Sequence, residues 1–454
     1  MPLPPGPALP RAVQTFAYAT RPQSFVPWCA QRYGVPYTLR LVGQTMVIVA
    51  DPEHVRMVIS GQDKRLTMSR YNHIVDPIVG RLSLLVTDGQ RHAHHRRMLL
   101  EPFRRAKVLS YGPDMADIAA RHLSGLAPGV TVSAYEAFEK ISLEVILRIV
   151  LGVRDAAQVV EARAALEPVV SVNPLILMFP ALQRDLGPWS PGGRFRRDRE
   201  RLDAFLFKHI ATRRAAVEAG DPPTDVLGQL ILAEDEDGRL SDQALRDELM
   251  TLIFTGHETT AAGLSWTLGW LVRSPEALAR LVEELDALGP DVSLETLDAA
   301  PWLDAVCKEA LRMSPVFPGI PREVVEPIRI GDYTLPEGTQ IVATAALSHR
   351  MPGSFDAPDT FDPAHFLDRK YSREVYYPFG GGPRMCLGWA FGVSQMKLVL
   401  ARALANFTFA ASDGRWPNAR WRHVTMVPHQ GGPVRVVGRR TPPAASPLEQ
   451  HASA

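Results

Sequence analysis

The sequence predicts a mainly α fold with a smaller β-rich portion, and three observations predict it. From about Pro52 to about Pro315, apolar residues recur mostly at helical spacing. Short alternating or β-branched runs cluster towards the two ends of the chain. No sharp change of composition marks a linker. Residues 13–438 therefore read as one domain, after a proline-rich lead-in at 1–12 and before a Pro/Ala/Ser-rich tail at 439–454 that is expected to be disordered.

The elements follow in order. Prolines at 2, 4, 5, 7 and 10 make the lead-in stiff and extended. "YTLRLVGQTMVIVADP" reads as a hairpin around a Gly-Gln turn, and a helix follows from about Pro52. Loops are expected at 69–87, 172–193 and 219–224. "SDQALRDELMTLIFTGHETTAAGLSWTLGWLVRSP" reads as a long helix with Ser241 as N-cap and a stop at Ser274-Pro275. A helix of about 30 residues spans about 45 Å, so it must cross the core. Beyond Pro315, "PIRIGDYTLPEGTQIVAT" reads as a hairpin turning near Glu337-Gly338. A last helix over about 387–406 and a β-rich segment near 422–438 close the domain.

Composition narrows the function classes. The chain has 454 residues, 46% hydrophobic and 22% charged, enough for a large core with space for a cofactor. A net charge of +1 shows no bias towards nucleic acid. No run of about 18 apolar residues occurs, so no transmembrane anchor is expected. The first residues lack the basic stretch and apolar core of a secretory leader. Cys29, Cys307 and Cys386 are far apart, odd in number and form no CxxC pair. That argues against a disulfide framework or structural zinc, and fits a reducing cytoplasm.

Cys386 stands in "YYPFGGGPRMCLGWAFG", just ahead of a helix. A helix start offers free N–H groups and the positive end of the dipole, which favour a thiolate. Gly380, Gly381 and Gly382 permit a tight turn and close approach to a flat partner. Gly388 leaves room for a planar group, and Arg384 can reach an anion upon it. The cysteine alone also fits a structural role in a glycine-rich turn. The pattern F-x-x-G-x-R-x-C-x-G is more specific, with a chance expectation on the order of 10⁻⁴ in such a chain.

At Phe379, Gly382, Arg384, Cys386 and Gly388 the stretch resembles the haem-binding signature of the cytochrome P-450 family. The resemblance implies the fold of that family, with a long central helix over a buried haem b. It implies Cys386 as the axial thiolate, which favours O–O cleavage, and Phe379, Arg384 and Gly388 as cofactor contacts.

Further motifs resemble the family in its order. Within the long helix, "TGHETT" is a weak, polar centre: Gly256 costs about 1 kcal/mol relative to alanine, and Thr259 and Thr260 can bond back and bend the helix. A threonine-stabilised kink is one reading. The resemblance implies an oxygen-activation motif, with Glu258 the acid and Thr259 the alcohol of a proton relay. His257 lies outside it and reads as packing. In "DGQRHAHHRRMLLEPF", His92 and Arg96 share a helix face. They suit a basic surface, and the resemblance implies propionate contacts, joined by Arg322 of "PREVV". In "KEALRM", Glu309 and Arg312 fit an ordinary salt bridge, and resemble the family's E-x-x-R pair. The arginine that usually follows in "PxRF" is His365 here, in "FDPAHF".

These motifs imply a haem-thiolate monooxygenase of soluble bacterial type, cytoplasmic, using O2 and electrons from a ferredoxin or flavodoxin with its reductase. Rival readings are a peroxide-driven hydroxylase and a non-enzymatic haem sensor or carrier. The intact "HETT" counts against both. The apolar loop "SVNPLILMFPALQRDLGPW" reads as a lid or as ordinary helix packing, and membrane contact by 172–190 stays open. With Phe254, Val316, Phe317 and Met426 as pocket lining, the expected substrate is a fatty acid, terpenoid or steroid-like molecule, fatty acids leading.

Overall fold

The hairpin forms where the alternating pattern places it: Tyr37–Leu41 (β1) pairs antiparallel with Gln44–Val49 (β2). Gly43, at φ +81°, supplies the left-handed turn. The structure, a computed structural model, describes all residues except 1, 69–72, 174–175, 178–179, 235, 237, 290–291, 352, 413–417 and 442–454. The lead-in is held by β1, since the Thr38 N–H donates to the Pro5 carbonyl at 2.8 Å. Two helices that the periodicity did not mark follow it, Arg11–Thr20 (α1) and Pro22–Tyr33 (α2).

A five-stranded sheet grows from the hairpin in the order Tyr37–Leu41, Gln44–Val49, Gln340–Ala343, Ile320–Val324, Leu66–Thr67. Both faces are buried. Met46, Ile48 and Val342 join one apolar cluster, while Val47, Val49, Ile341 and Ala343 join the other. That is the period-2 alternation of a strand covered on two sides.

The second expected hairpin is corrected. Ile328–Ile330 pairs with Tyr333–Leu335 around Gly331-Asp332, not around Glu337-Gly338. Pro336 lacks an N–H for the ladder, so the next turn sends Gln340–Ala343 away to pair in parallel with β2. The tail also starts later than expected. Arg439 ends the strand Pro433–Arg439, and the Arg440 N–H donates to the Asn406 carbonyl at 2.8 Å; residues 442–454 lie outside the described residues.

The chain divides into two compact units. One comprises Met1–Thr67, Met115–Ile141 and Thr259–Ala454, the other Met68–Asp114 and Ser142–Glu258. The central helix, Asp242–Leu271, begins in the second and ends in the first, with the division between Glu258 and Thr259. Ser241 caps it, its Oγ accepting the Ala244 N–H at 3.2 Å. The helix runs without interruption through its polar centre. No helix among the described residues is long and apolar enough to cross a membrane.

Candidate active site

The three cysteines sort by exposure. Cys29 and Cys307 are buried, and burial pushes both thiols up to about 12, which keeps them protonated. Cys386 is exposed. Its backbone N–H donates to the Phe379 carbonyl at 2.9 Å, closing the loop, and the Met385 N–H donates to Gly382 at 3.1 Å. Gly380 and Gly382 take φ of +71° and +60°, the conformation that glycine tolerates.

What the glycines approach differs from expectation. A Cβ on Gly381 would meet Ile59 at 2.9 Å, and one on Gly382 would meet the Ile59 and Ser60 carbonyl oxygens at 2.5 Å. They seat the loop on the last turn of the helix Pro52–Ser60. Gly388 stands at the N-cap of the helix Trp389–Asn406, not inside it, and a Cβ there would meet nothing within 4 Å. Open space thus lies over Gly388, two residues from the exposed thiol. Arg384 ends the short turn Gly382–Arg384 and is half-buried, as is Phe379.

The cysteine helix then meets the central helix. A Cβ on Gly392 would lie 3.7 Å from Thr260 Oγ1, and one on Gly263 would lie 3.0 Å from Met396 Sδ. The helix starting just after Cys386 therefore crosses the central helix next to Thr259. On the central helix, Glu258 is buried and Thr259 half-buried. Gly256 has a packing reason: a Cβ would come within 2.7 Å of Ile146 Cδ1, so its bare side admits a neighbouring side chain. His257 is packing as expected, buried, with Nδ1 2.7 Å from the Ile253 carbonyl.

Glu309 and Arg312 form a bidentate pair with no exposed side-chain area, at 2.7 and 2.8 Å. Arg312 also donates to the carbonyls of His349, Pro358 and Thr360 at 2.7–2.9 Å. His365 takes the place of the third partner: Nδ1 lies 3.2 Å from Glu309 Oε1, and Nε2 lies 2.6 Å from the Asp356 carbonyl. Arg322 is buried in Ile320–Val324, with Nη1 donating to Pro321 at 2.8 Å. Val316 and Met426 are buried together, the Met426 N–H donating to Val316 at 2.8 Å. Phe317 differs from them in being 39% exposed. In the second unit, His92 is buried and Arg96 half-buried on Gly89–Leu100, and Phe254 is buried on the central helix.

The family model for Cytochrome P450 matches residues 3–432. The chain is 34% identical to cytochrome P450 135A1 of Mycobacterium tuberculosis, over 96% of each chain. It is 35% identical to cytochrome P450 135B1 of Mycobacterium bovis, over 98% of this chain and 94% of that one. The chain belongs to the cytochrome P450 family. Among solved structures, the haem domain of cytochrome P450DA superposes with a TM-score of 0.84 at 24% identity, covering 97% of this chain and 98% of that one. A retinoic acid-bound cyanobacterial CYP120A1 superposes with 0.82 at 24% identity, covering 96% and 99%. These last two show the fold.

This P450 is a haem-thiolate monooxygenase that uses O2 and a redox partner and binds haem b through a cysteine. Its donor set fits that cofactor. One thiol is exposed beside a glycine with open space above it, and the other two are buried and protonated.

Sequence reasoning missed two buried polar centres of this P450. His349 is wholly buried; its Nε2 accepts the Tyr377 N–H at 3.1 Å, and burial, then the Arg312 charge, drive its pKa down to about 3. No spacing rule joins residues 312, 349 and 377. Likewise His95 Nδ1 lies 2.7 Å from Glu248 Oε1, and burial raises the Glu248 carboxyl.

Proposed function

We propose that the P450 inserts one oxygen atom of O2 into a C–H bond of a hydrophobic small molecule, of fatty acid, terpenoid or steroid type. Electrons come from a ferredoxin or flavodoxin with its reductase. Cys386 would hold the haem iron through its thiolate. The observation that carries this is the exposed thiol at the start of a helix that crosses the central helix at Thr260. The haem, when bound, supplies the chemistry of dioxygen activation.

The chain's own residues supply the rest. The N–H groups of the first turn after Gly388 favour the ionised sulfur. Arg322 and Arg384 would hold the propionates, and the family resemblance gives His92 and Arg96 the same role. Phe379 and Gly388 bound the porphyrin. Glu258, a buried carboxyl, and the Thr259 hydroxyl beside it hold water and pass protons towards the oxygen. Glu309, Arg312 and His365 fix the scaffold beneath the loop. Phe254, Val316, Phe317 and Met426 line the substrate side, and apolar walls there favour an apolar substrate. The likeness to a fold that holds retinoic acid supports an elongated apolar ligand. The acid–alcohol pair favours O2 over peroxide as oxidant, and favours turnover over a sensor or carrier role.

A screen for substrate-induced shifts of the haem spectrum across fatty acids, terpenes and steroids tests the substrate class. A shift with none of the three overturns it. Turnover with O2, donor proteins and reductant must exceed turnover with peroxide alone. Thr259→Ala is expected to lower product per electron about tenfold or more; equal coupling in variant and parent removes the relay.

A further inference from the structure

The first 50 residues stand apart in charge. The chain carries 50 basic and 49 acidic residues, yet the first acid is Asp51. Before it come only Arg11, Arg21, Arg32 and Arg40. Arg11, Arg21 and Arg32 are exposed, and none of the four is in an ion pair among the described residues. The same stretch holds 6 of the 20 large apolar side chains exposed among the described residues: Leu9, Val13, Phe16, Trp28, Val35 and Val42. Scattered exposed apolar residues need no explanation. These are not scattered.

Helix α1 carries its apolar residues outward. Its inner face is Gln14, Ala17 and Tyr18. Ala17 and Tyr18 pack on the cluster of Phe25, Tyr37 and Leu39. Gln14 is buried and fully engaged: Nε2 donates to Pro7 and Leu9 at 3.1 and 2.7 Å, and Oε1 accepts the Arg40 N–H at 2.9 Å. At about 100° per residue, Ala12, Val13, Phe16 and Ala19 then share the opposite face, and all four are exposed. Phe16 is 70% exposed. No charged residue falls on that stripe.

The surface continues beyond the helix. Thr15 Oγ1 accepts the Val42 N–H at 2.9 Å, which sets Val42, 63% exposed, next to α1. On another side, Trp421 Nε1 donates to the Tyr18 carbonyl at 3.4 Å. That fixes the strand Ala419–Arg422 beside α1, adding the exposed Arg420 and, past its turn, the exposed Val424. The neighbouring carboxylate Glu139 is occupied by Arg422 at 3.1 Å. The docked helix thus holds an uncharged apolar stripe to solvent, within a stretch of sequence whose only charged side chains are arginines.

We propose that this face, α1 with the β1–β2 turn, docks peripherally on an anionic lipid surface. An apolar stripe among arginines that lack paired acids matches a hydrocarbon layer under negative headgroups. It offers area and charge without the patterned hydrogen-bond groups that a protein partner reads. Phe16, Val13 and Val42 enter the headgroup boundary, and the arginines lie at the phosphates.

The test is co-sedimentation of the full-length holoprotein with vesicles of phosphatidylcholine, alone or mixed with phosphatidylglycerol. Binding is expected to the mixed vesicles, falling as salt is raised. Arg11→Gln/Arg21→Gln/Arg32→Gln should weaken it about a hundredfold, roughly fivefold per arginine. Val13→Ser/Phe16→Ser should weaken it with no loss of haem content, since both side chains are exposed. Equal binding to neutral and mixed vesicles, binding to neither, or parental binding by the serine variant overturns the proposal. So does a serine variant that instead abolishes a dimer, or slows turnover with an acidic electron donor while vesicle binding stays unchanged. Those outcomes would assign the face to a second copy or to a protein.

Discussion

The helix Pro301–Met313 and the loop Tyr377–Gly388 lie in the same unit and each carries a cysteine, yet they are built in opposite ways. On the helix, Cys307, Glu309 and Arg312 are buried, and the paired charges find partners in each other, in His365 and in three backbone carbonyls. In the loop, backbone hydrogen bonds close the turn at Phe379–Cys386, glycines press against another helix, and the cysteine is exposed. The difference separates scaffold from site. A buried charge is held by saturating it, which leaves nothing to react. A ligand is presented by saturating the backbone around it and keeping the residue exposed.

If the helix is scaffold, removing half of its ion pair should have the largest effect. Arg312→Ala leaves the buried Glu309 without its bidentate partner, a cost of about 3–5 kcal/mol. Little holoprotein should be recovered, measured as haem per chain. Full haem content would sever the scaffold from the loop.

His349, which joins the two regions through the Arg312 and Tyr377 bonds, sharpens the comparison through pH. Its pKa is about 3 folded, against about 6.5 in an unfolded chain. Between those values the unfolded state binds the extra proton, so stability rises with pH and is lost as pH falls from 6.5. Denaturant titrations of His349→Gln should show a pH slope smaller by up to one proton in that window. An unchanged slope would mean that the imidazole is not held neutral.

The smallest effect belongs to the other cysteine. Cys307→Ala should cost about 1 kcal/mol of stability as a small core truncation, seen as a modest fall in melting temperature, with the haem spectrum unchanged. A changed spectrum would erase the distinction between the two thiols.

Legibility in the sequence followed the same division. The β1–β2 hairpin, the Pro52 helix, the central helix with its Ser241 cap and the cysteine loop were readable, because local patterns and turn chemistry set them. The Glu337-Gly338 turn was misread because a two-residue Gly331-Asp332 turn competes with it, and strand choice depended on a partner far along the chain. Gly256 was readable only as a weak point in the helix, because Ile146, against which it packs, lies 110 residues away in sequence. Helix α1 escaped notice because its large apolar residues, Val13 and Phe16, face solvent while Gln14 fills the buried face. His365 was readable as a departure from "PxRF", while its bond to Glu309 was not.

The central claim is that Cys386 holds the haem iron as a thiolate. The most direct measurement is the absorption spectrum of the reduced carbon monoxide complex, parent against Cys386→His. The parent should show a red-shifted Soret band, lost in a variant that still retains haem. The same red-shifted band in both would contradict it, because another residue would then be the ligand.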